Sequence, residues 1–132
     1  MTPPIVPSLV VPFHKTLGIT SVDPALGDDS ALTVEISAPH HNARKVAHGG
    51  VLMTLLDAAV SRAARVADPE KRPIATVELK TTFMQPGAGR LVATGVCLHR
   101  TQSMAFCEAE VRDSDDKLIA RGSATLRYLR TA

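Results

Sequence analysis

Aromatic side chains are scarce: Phe13, Phe83, Phe106 and Tyr128 make up 3% of 132 residues, and tryptophan is absent. A core this poor in rings must be filled by Val, Leu, Ile, Ala and Met, so its elements can approach one another closely. Charge of either sign is nearly balanced. The 15 Lys and Arg against 13 Asp and Glu leave a formal charge of +2, too little for nucleic-acid binding by electrostatics, and no basic run is interleaved with aromatics. No stretch reaches the ~18 consecutive apolar residues of a membrane span. The first residues carry no basic segment and are broken by Pro3, Pro4, Pro7 and Pro12, which makes a poor signal peptide. The two cysteines, Cys97 and Cys107, sit in apolar segments without CxxC spacing. They read as buried thiols of a reducing compartment, with a bridge between them left open. The expectation is a soluble cytoplasmic protein.

What is present suffices for one packed domain: 45% of the residues are hydrophobic, in a chain of single-domain length. Residues 1–12 read as a proline-rich N-terminal arm and residues 13–132 as the domain. Residues 13–17 suggest a turn of helix. Two weak strand candidates, 18–22 and 31–37, flank a turn-rich segment from Asp23-Pro24 to Asp29, and residues 39–45 read as a loop. From Val51 to Ala67 there is neither Pro nor Gly, and apolar residues recur at helical spacing, with Thr54, Asp57, Ser61 and Arg65 in one narrow polar stripe. Such a helix is expected to be buried on most sides and to end at Asp68-Pro69. Four strands follow, at 74–83, 90–99, 103–112 and 118–128. The first alternates with Ala75, Val77, Leu79, Thr81 and Phe83 on one face and Thr76, Glu78 and Lys80 on the other. Ala105, Cys107, Ala109 and Val111 share a face in the third, and Leu118, Ala120, Gly122, Ala124, Leu126 and Tyr128 in the fourth. Tight turns imply antiparallel pairing. The fold class is therefore α+β, a long central helix wrapped by an antiparallel sheet of five or six strands.

Two features at the helix carry candidate chemistry. His48-Gly49-Gly50 stands at its mouth, where glycine lets the backbone come close to a ligand and first-turn N–H groups lack intrahelical partners. Aided by the helix dipole, these donors suit an anion or a developing oxyanion, although the dipeptide also serves as a plain close-packed helix entry. Asp57 lies mid-helix, where a carboxylate gains nothing from capping. It is either a buried functional group or part of a solvated stripe paired with Arg62 or Arg65. Gly49 and Asp57 are eight positions apart, or ~12 Å along one helix axis. A reacting carbonyl needs its oxyanion donor and its base or nucleophile both within ~3 Å. If both residues are catalytic, two antiparallel copies must supply them, and the protein is at least a dimer with paired sites.

The run Asn42-Ala-Arg-Lys-Val-Ala-His48-Gly49-Gly50-Val-Leu-Met-Thr-Leu-Leu-Asp57-Ala resembles the N-x5-HGG-x6-D-x-A signature of PaaI-like hotdog-fold thioesterases. The similarity extends from about Phe13 to Leu129 and takes in residues 76–86 and 117–122. It implies a single hotdog domain over residues 13–132, a sheet wrapped around a long helix. It also implies an acyl-CoA thioesterase that hydrolyses an acyl- or aryl-CoA thioester to free acid and CoA. Carried over residue by residue, the Gly49 backbone N–H polarises the thioester carbonyl, and Asp57 of the partner chain acts as nucleophile or as general base for water. Asn42 orients the thioester or the attacking group, or else pins its own loop. His48 supports the site, and Thr76 supplies a hydroxyl that helps hold the water, from the same chain as Asp57.

Thioesters are activated acyl groups, so their hydrolysis calls for a polarised carbonyl and a positioned nucleophile but no metal or other cofactor, CoA being part of the substrate. His40, His41 and His48 lack ligand-grade spacing for a metal. There is no G-x-S-x-G, and Gly87-Ala88-Gly89 reads as a hairpin turn rather than a dinucleotide fingerprint. Arg62, Lys71, Arg72, Arg90, Arg100 and Arg130 are either partners for CoA phosphates or scattered surface charge. The expected assembly is a homodimer or homotetramer, with no nucleic-acid or membrane partner. The rival readings are a non-catalytic acyl-CoA or acyl-carrier binding protein on the same fold, and a structural dimerisation module.

Overall fold

The computed structural model describes residues 11–130, so the proline-rich arm expected at 1–12 lies outside the described residues except for its last two. Pro12 belongs to no arm: it opens helix α1 (Pro12–Leu17), where its missing N–H costs nothing, and Gly18, at φ 75°, closes the helix in the left-handed region. Strands β1 (Thr20–Ser21) and β2 (Leu32–Glu35) occupy the centres of the two weak candidates. The turn-rich segment between them forms 3-10 turns over Pro24–Asp29. Helix α2 (Gly49–Ala67) begins two residues before the expected start, because both glycines enter its first turn. Strands β3 (Ile74–Phe83), β4 (Arg90–Arg100), β5 (Met104–Asp113) and β6 (Leu118–Tyr128) complete one six-stranded antiparallel sheet in the order β1-β2-β4-β5-β6-β3.

The helix lies across the concave face of this sheet. Its buried residues, Val51, Leu52, Leu55, Leu56, Ala58, Ala59, Val60, Ala63 and Ala64, meet inward-facing residues that are mostly small: Ala93, Ala105, Cys107, Ala109, Ala120 and Ala124. The approach is tightest at Gly95, where a Cβ would sit 2.5 Å from the Ala59 carbonyl oxygen. The shortage of aromatic rings is thus a packing requirement. Cys97 and Cys107 face each other across β4 and β5 as free thiols, and burial, with Cys97 beside it, pushes the Cys107 thiol up to about 12.

Strict alternation fails at three positions; at one of them, between Val111 and Arg112, the extra residue Ile119 sets Leu118 opposite Arg112 and separates it from the expected row that begins at Ala120, opposite buried Val111. β3 shifts register between Thr76 and Glu78, leaving Val77 as a bulge. Thr76 is therefore opposite buried Leu126 and Leu79 opposite buried Ala124, so both point inward, while Val77 is exposed. The expected grouping of Thr76 with Glu78 and Lys80 is corrected by that one extra residue. A third shift, between Cys97 and His99, turns Arg100 inward to the end of α2.

There Asp68, fully buried, closes the helix. It accepts hydrogen bonds from the backbone N–H of Glu70 (3.1 Å) and Arg72 (3.0 Å), from Arg72 Nε (3.0 Å) and from Arg100 Nη2 (3.2 Å). Burial works to raise its pKa, but the Arg72 side chain and the Arg72 and Glu70 backbones outweigh burial and hold the carboxyl below its ordinary value of 3.8. The two guanidinium groups also rest on the Tyr128 ring, 4.6 and 5.3 Å from its centroid, and the Tyr128 hydroxyl donates to the Ala64 carbonyl at 2.7 Å.

Two outcomes follow for stability. Gly95→Ala should cost about 1–3 kcal/mol in urea denaturation, because backbone and not a flexible side chain is in the way. Asp68 has a depressed folded pKa, so its stabilisation is complete above 3.8 and disappears as pH falls through the lower folded value. Asp68→Asn should therefore lower stability by about 3 kcal/mol at neutral pH and flatten the loss of stability below pH ~4.

Candidate active site

The loop before α2 is tied down by its own backbone. Asn42 Oδ1 accepts from the N–H groups of Arg44 (2.9 Å) and Val46 (3.3 Å), and an isolated bridge pairs His41 with Ala47. The Asn42 side-chain oxygen is thus committed to the loop, and no hydrogen-bond partner engages its amide nitrogen among the described residues. His48 is the N-cap of α2: its Nδ1 accepts from the Gly50 N–H at 2.9 Å. That bond makes Nδ1 an acceptor and assigns the ring a structural task. Among the described residues, the Gly49 N–H has no hydrogen-bond acceptor. Asn42 and Gly49 line one cavity of about 410 Å³ together with Leu52, Phe83 and Met84.

Asp57 lies elsewhere on the helix. It is half-buried, and the Thr76 hydroxyl donates to its Oδ1 at 2.6 Å. The contact exists because the Val77 bulge re-aims Thr76 inward. Neither arginine expected to neutralise Asp57 does so. Arg65 binds Asp28 through two nitrogens, at 2.9 and 3.0 Å, and Arg62 donates to the Gly27 and Ser30 carbonyls and to the Ser21 hydroxyl. Asp57 has no ion-pair partner among the described residues. Its cavity, about 220 Å³, is lined by Val11, His14, Ala58, Ser61, Arg62 and Arg65, and it shares no residue with the Asn42–Gly49 cavity.

The candidate residues therefore form two groups in one chain, Asn42, His48 and Gly49 at the mouth of the helix and Asp57 with Thr76 two turns along. His14 joins the second group, and the sequence analysis missed it. Burial pulls the His14 imidazole below its ordinary 6.5, the Asp57 charge opposes this, and Arg62 and Arg65 reinforce it. No spacing rule links residues 43 positions apart through a short helix, so only tertiary structure reveals that they line one cavity. The candidate phosphate ligands are mostly engaged within the fold: Arg72 and Arg100 on Asp68, Lys71 on the Arg65 and Val66 carbonyls, and Arg90 on Thr33. No group of three or more metal-binding side chains occurs among the described residues, and His40 instead bonds the Leu17 carbonyl and the Ser37 N–H. Among the described residues, no helix is long and apolar enough to cross a membrane.

Comparison with known proteins gives this arrangement a family. Residues 44–120 match the thioesterase superfamily. Human acyl-coenzyme A thioesterase 13 is 27% identical over 116 residues, covering 86% of this chain and 82% of its own. A Bacillus halodurans protein crystallised with CoA has a TM-score of 0.83 at 23% identity, over 93% of this chain and 82% of that one. The E. coli PaaI protein of the phenylacetic acid degradation operon has a TM-score of 0.79 at 20% identity, over 91% and 86%. At these identities the two structures establish the hotdog fold alone. With its family match spanning the helix and most of the sheet, the chain belongs to the thioesterase superfamily and is a thioester hydrolase.

Proposed function

We propose that the protein hydrolyses an acyl- or aryl-CoA thioester to free acid and CoA, in sites shared between two copies of the chain. The observation that carries this reading is the Asp57 carboxylate itself. It is half-buried, free of any cation among the described residues and held at one oxygen by Thr76. A carboxylate so placed keeps its second oxygen for a water or for the thioester carbon.

The Gly49 N–H of one chain polarises the carbonyl oxygen, with the first-turn dipole of α2 behind it. Asp57 of the partner chain takes a proton from the attacking water, or adds to the carbonyl itself. The carbon–sulfur bond then breaks and the thiolate leaves with a proton. Asn42 orients the thioester through its amide nitrogen, Thr76 positions Asp57 and its water, and His48 keeps the Gly49–Gly50 turn in place. The reaction takes no cofactor.

The assembly is a homodimer or a dimer of dimers. Two observations support it: the separate cavities of Gly49 and Asp57, and the edge of β3, which among the described residues pairs only with β6 and exposes Val77 and Phe83 at 59% and 52%. An open, apolar strand edge is a liability unless another strand covers it. The relative's name supports CoA as the thiol, and Leu52, Phe83 and Met84 in the Gly49 cavity suit medium-chain or aryl groups alike.

Thiol release from a panel of short, medium, long and aromatic acyl-CoAs tests the reading. Asp57→Asn should lower kcat on a responsive substrate about 100-fold or more with the melting temperature little changed. Hydrolysis at the parental rate would refute it. Thr76→Val should lower kcat about tenfold, and Thr76→Ser, which keeps the hydroxyl, should restore most of the loss.

A further inference from the structure

Thioester hydrolysis at neutral pH leaves one proton to dispose of in every turnover. Water adds to the carbonyl carbon and gives one proton to Asp57. The carbon–sulfur bond breaks, and the departing thiolate takes that proton. The second proton of the water stays on the new carboxylic acid, which ionises in the site. With the thiol protonated and the acid ionised, that remaining proton must reach bulk solvent before the next cycle. Asp57, the nearest base, is thus protonated again unless a further acceptor relieves it.

We infer, building on the proposed function, that His14 is that acceptor, a proton relay between Asp57 and solvent. Four observations carry the inference. His14 and Asp57 line one cavity of about 220 Å³, which has room for several water molecules between them. His14 is half-buried and sits on α1, a helix whose neighbours Phe13 and Lys15 are exposed, so the ring stands at the boundary between site and solvent. Its backbone carbonyl accepts from the Ile19 N–H at 2.9 Å, which fixes the residue relative to the buried start of the sheet. The charged groups around the ring are Asp57, Arg62 and Arg65 on α2, with Asp28 engaged by Arg65 and Lys15 on its own helix.

The ionic balance suits the task. Burial and the two arginines keep the imidazole neutral near pH 7, ready to accept, while the Asp57 charge favours the protonated ring for the moment it is needed. Arg62 and Arg65 cannot serve as acceptors themselves, because a guanidinium stays protonated. Ser61, the other polar residue lining this cavity, has no titration in the useful range. His14 acts through Asp57 rather than on the substrate, so it is a positioning and relay group and not a catalytic residue.

Three readouts on the full-length chain test the inference. His14→Gln and His14→Ala should lower kcat about tenfold or more with KM within about twofold, and should remove the acid limb that His14 contributes to the kcat profile. Added imidazole should restore a large part of the His14→Ala loss, which a purely structural role for the ring would not allow. In NMR titrations the His14 midpoint should fall further in Asp57→Asn, since the charge that raises it has gone. An active chain whose His14 variants keep the parental kcat and acid limb overturns this inference alone. So does a kcat loss that imidazole does not rescue, or a His14 midpoint that Asp57→Asn leaves unmoved. A parent inert on every acyl-CoA overturns the proposed function and this inference with it.

Discussion

Helix α2 lies so close against the sheet that Gly95 has no room for a side chain: a Cβ there would come within 2.5 Å of the Ala59 carbonyl oxygen. Much else in the molecule answers to that approach. Many inward positions of β4, β5 and β6 hold Ala, Gly or Cys, with Leu91, Val111, Ile119 and Leu126 as the larger buried aliphatic residues. The far end of the helix is pinned by Asp68, whose carboxylate receives two backbone and two guanidinium donors in a fully buried setting. A buried charge with that many donors fixes where the helix stops, and thereby the height of every residue along it.

Height matters because the chemistry is distributed along the helix axis. The N-terminal turn presents the Gly49 N–H beside Asn42, with His48 spent on capping. Asp57 follows two turns later in a different cavity, with Thr76 bonded to one oxygen and His14 lining the same cavity. A rigid helix cannot fold back to bring the ends of that span together, so the proposed reaction needs a second chain running the other way. The small size of the protein is then no obstacle to enzymatic function. In the proposed assembly each chain contributes half of each site, and a narrow core suffices to hold one helix in place.

Most of the architecture was legible in the sequence, since it depends on local rules. The helical recurrence from Leu52 to Ala63, the alternation in β5 and β6 and the turn residues between strands all express periodicity and backbone sterics. The separation of Gly49 from Asp57 is likewise arithmetic along one helix. Bulges were not legible, because an extra residue at Val77 or Leu98 leaves no mark in a pattern of apolar and polar side chains. That invisibility misplaced Thr76, the residue that touches Asp57. The fates of Arg62 and Arg65 were hidden for a related reason: their partners lie in the 3-10 segment more than thirty positions earlier. His14 was missed on the same ground, since only the folded chain brings it into the cavity of Asp57.

The central claim is that each site draws Asn42 and Gly49 from one chain and Asp57 from another. Asp57→Asn and Asn42→Ala chains, each nearly inactive alone, would be co-expressed under different tags and the hybrid assemblies compared with the parents. In a hybrid dimer one site carries both changes and the other carries none. A random mixture should therefore regain about one quarter of the wild-type sites, and purified hybrids about one half. Hybrids that form but stay at the activity of the two parents would contradict the account.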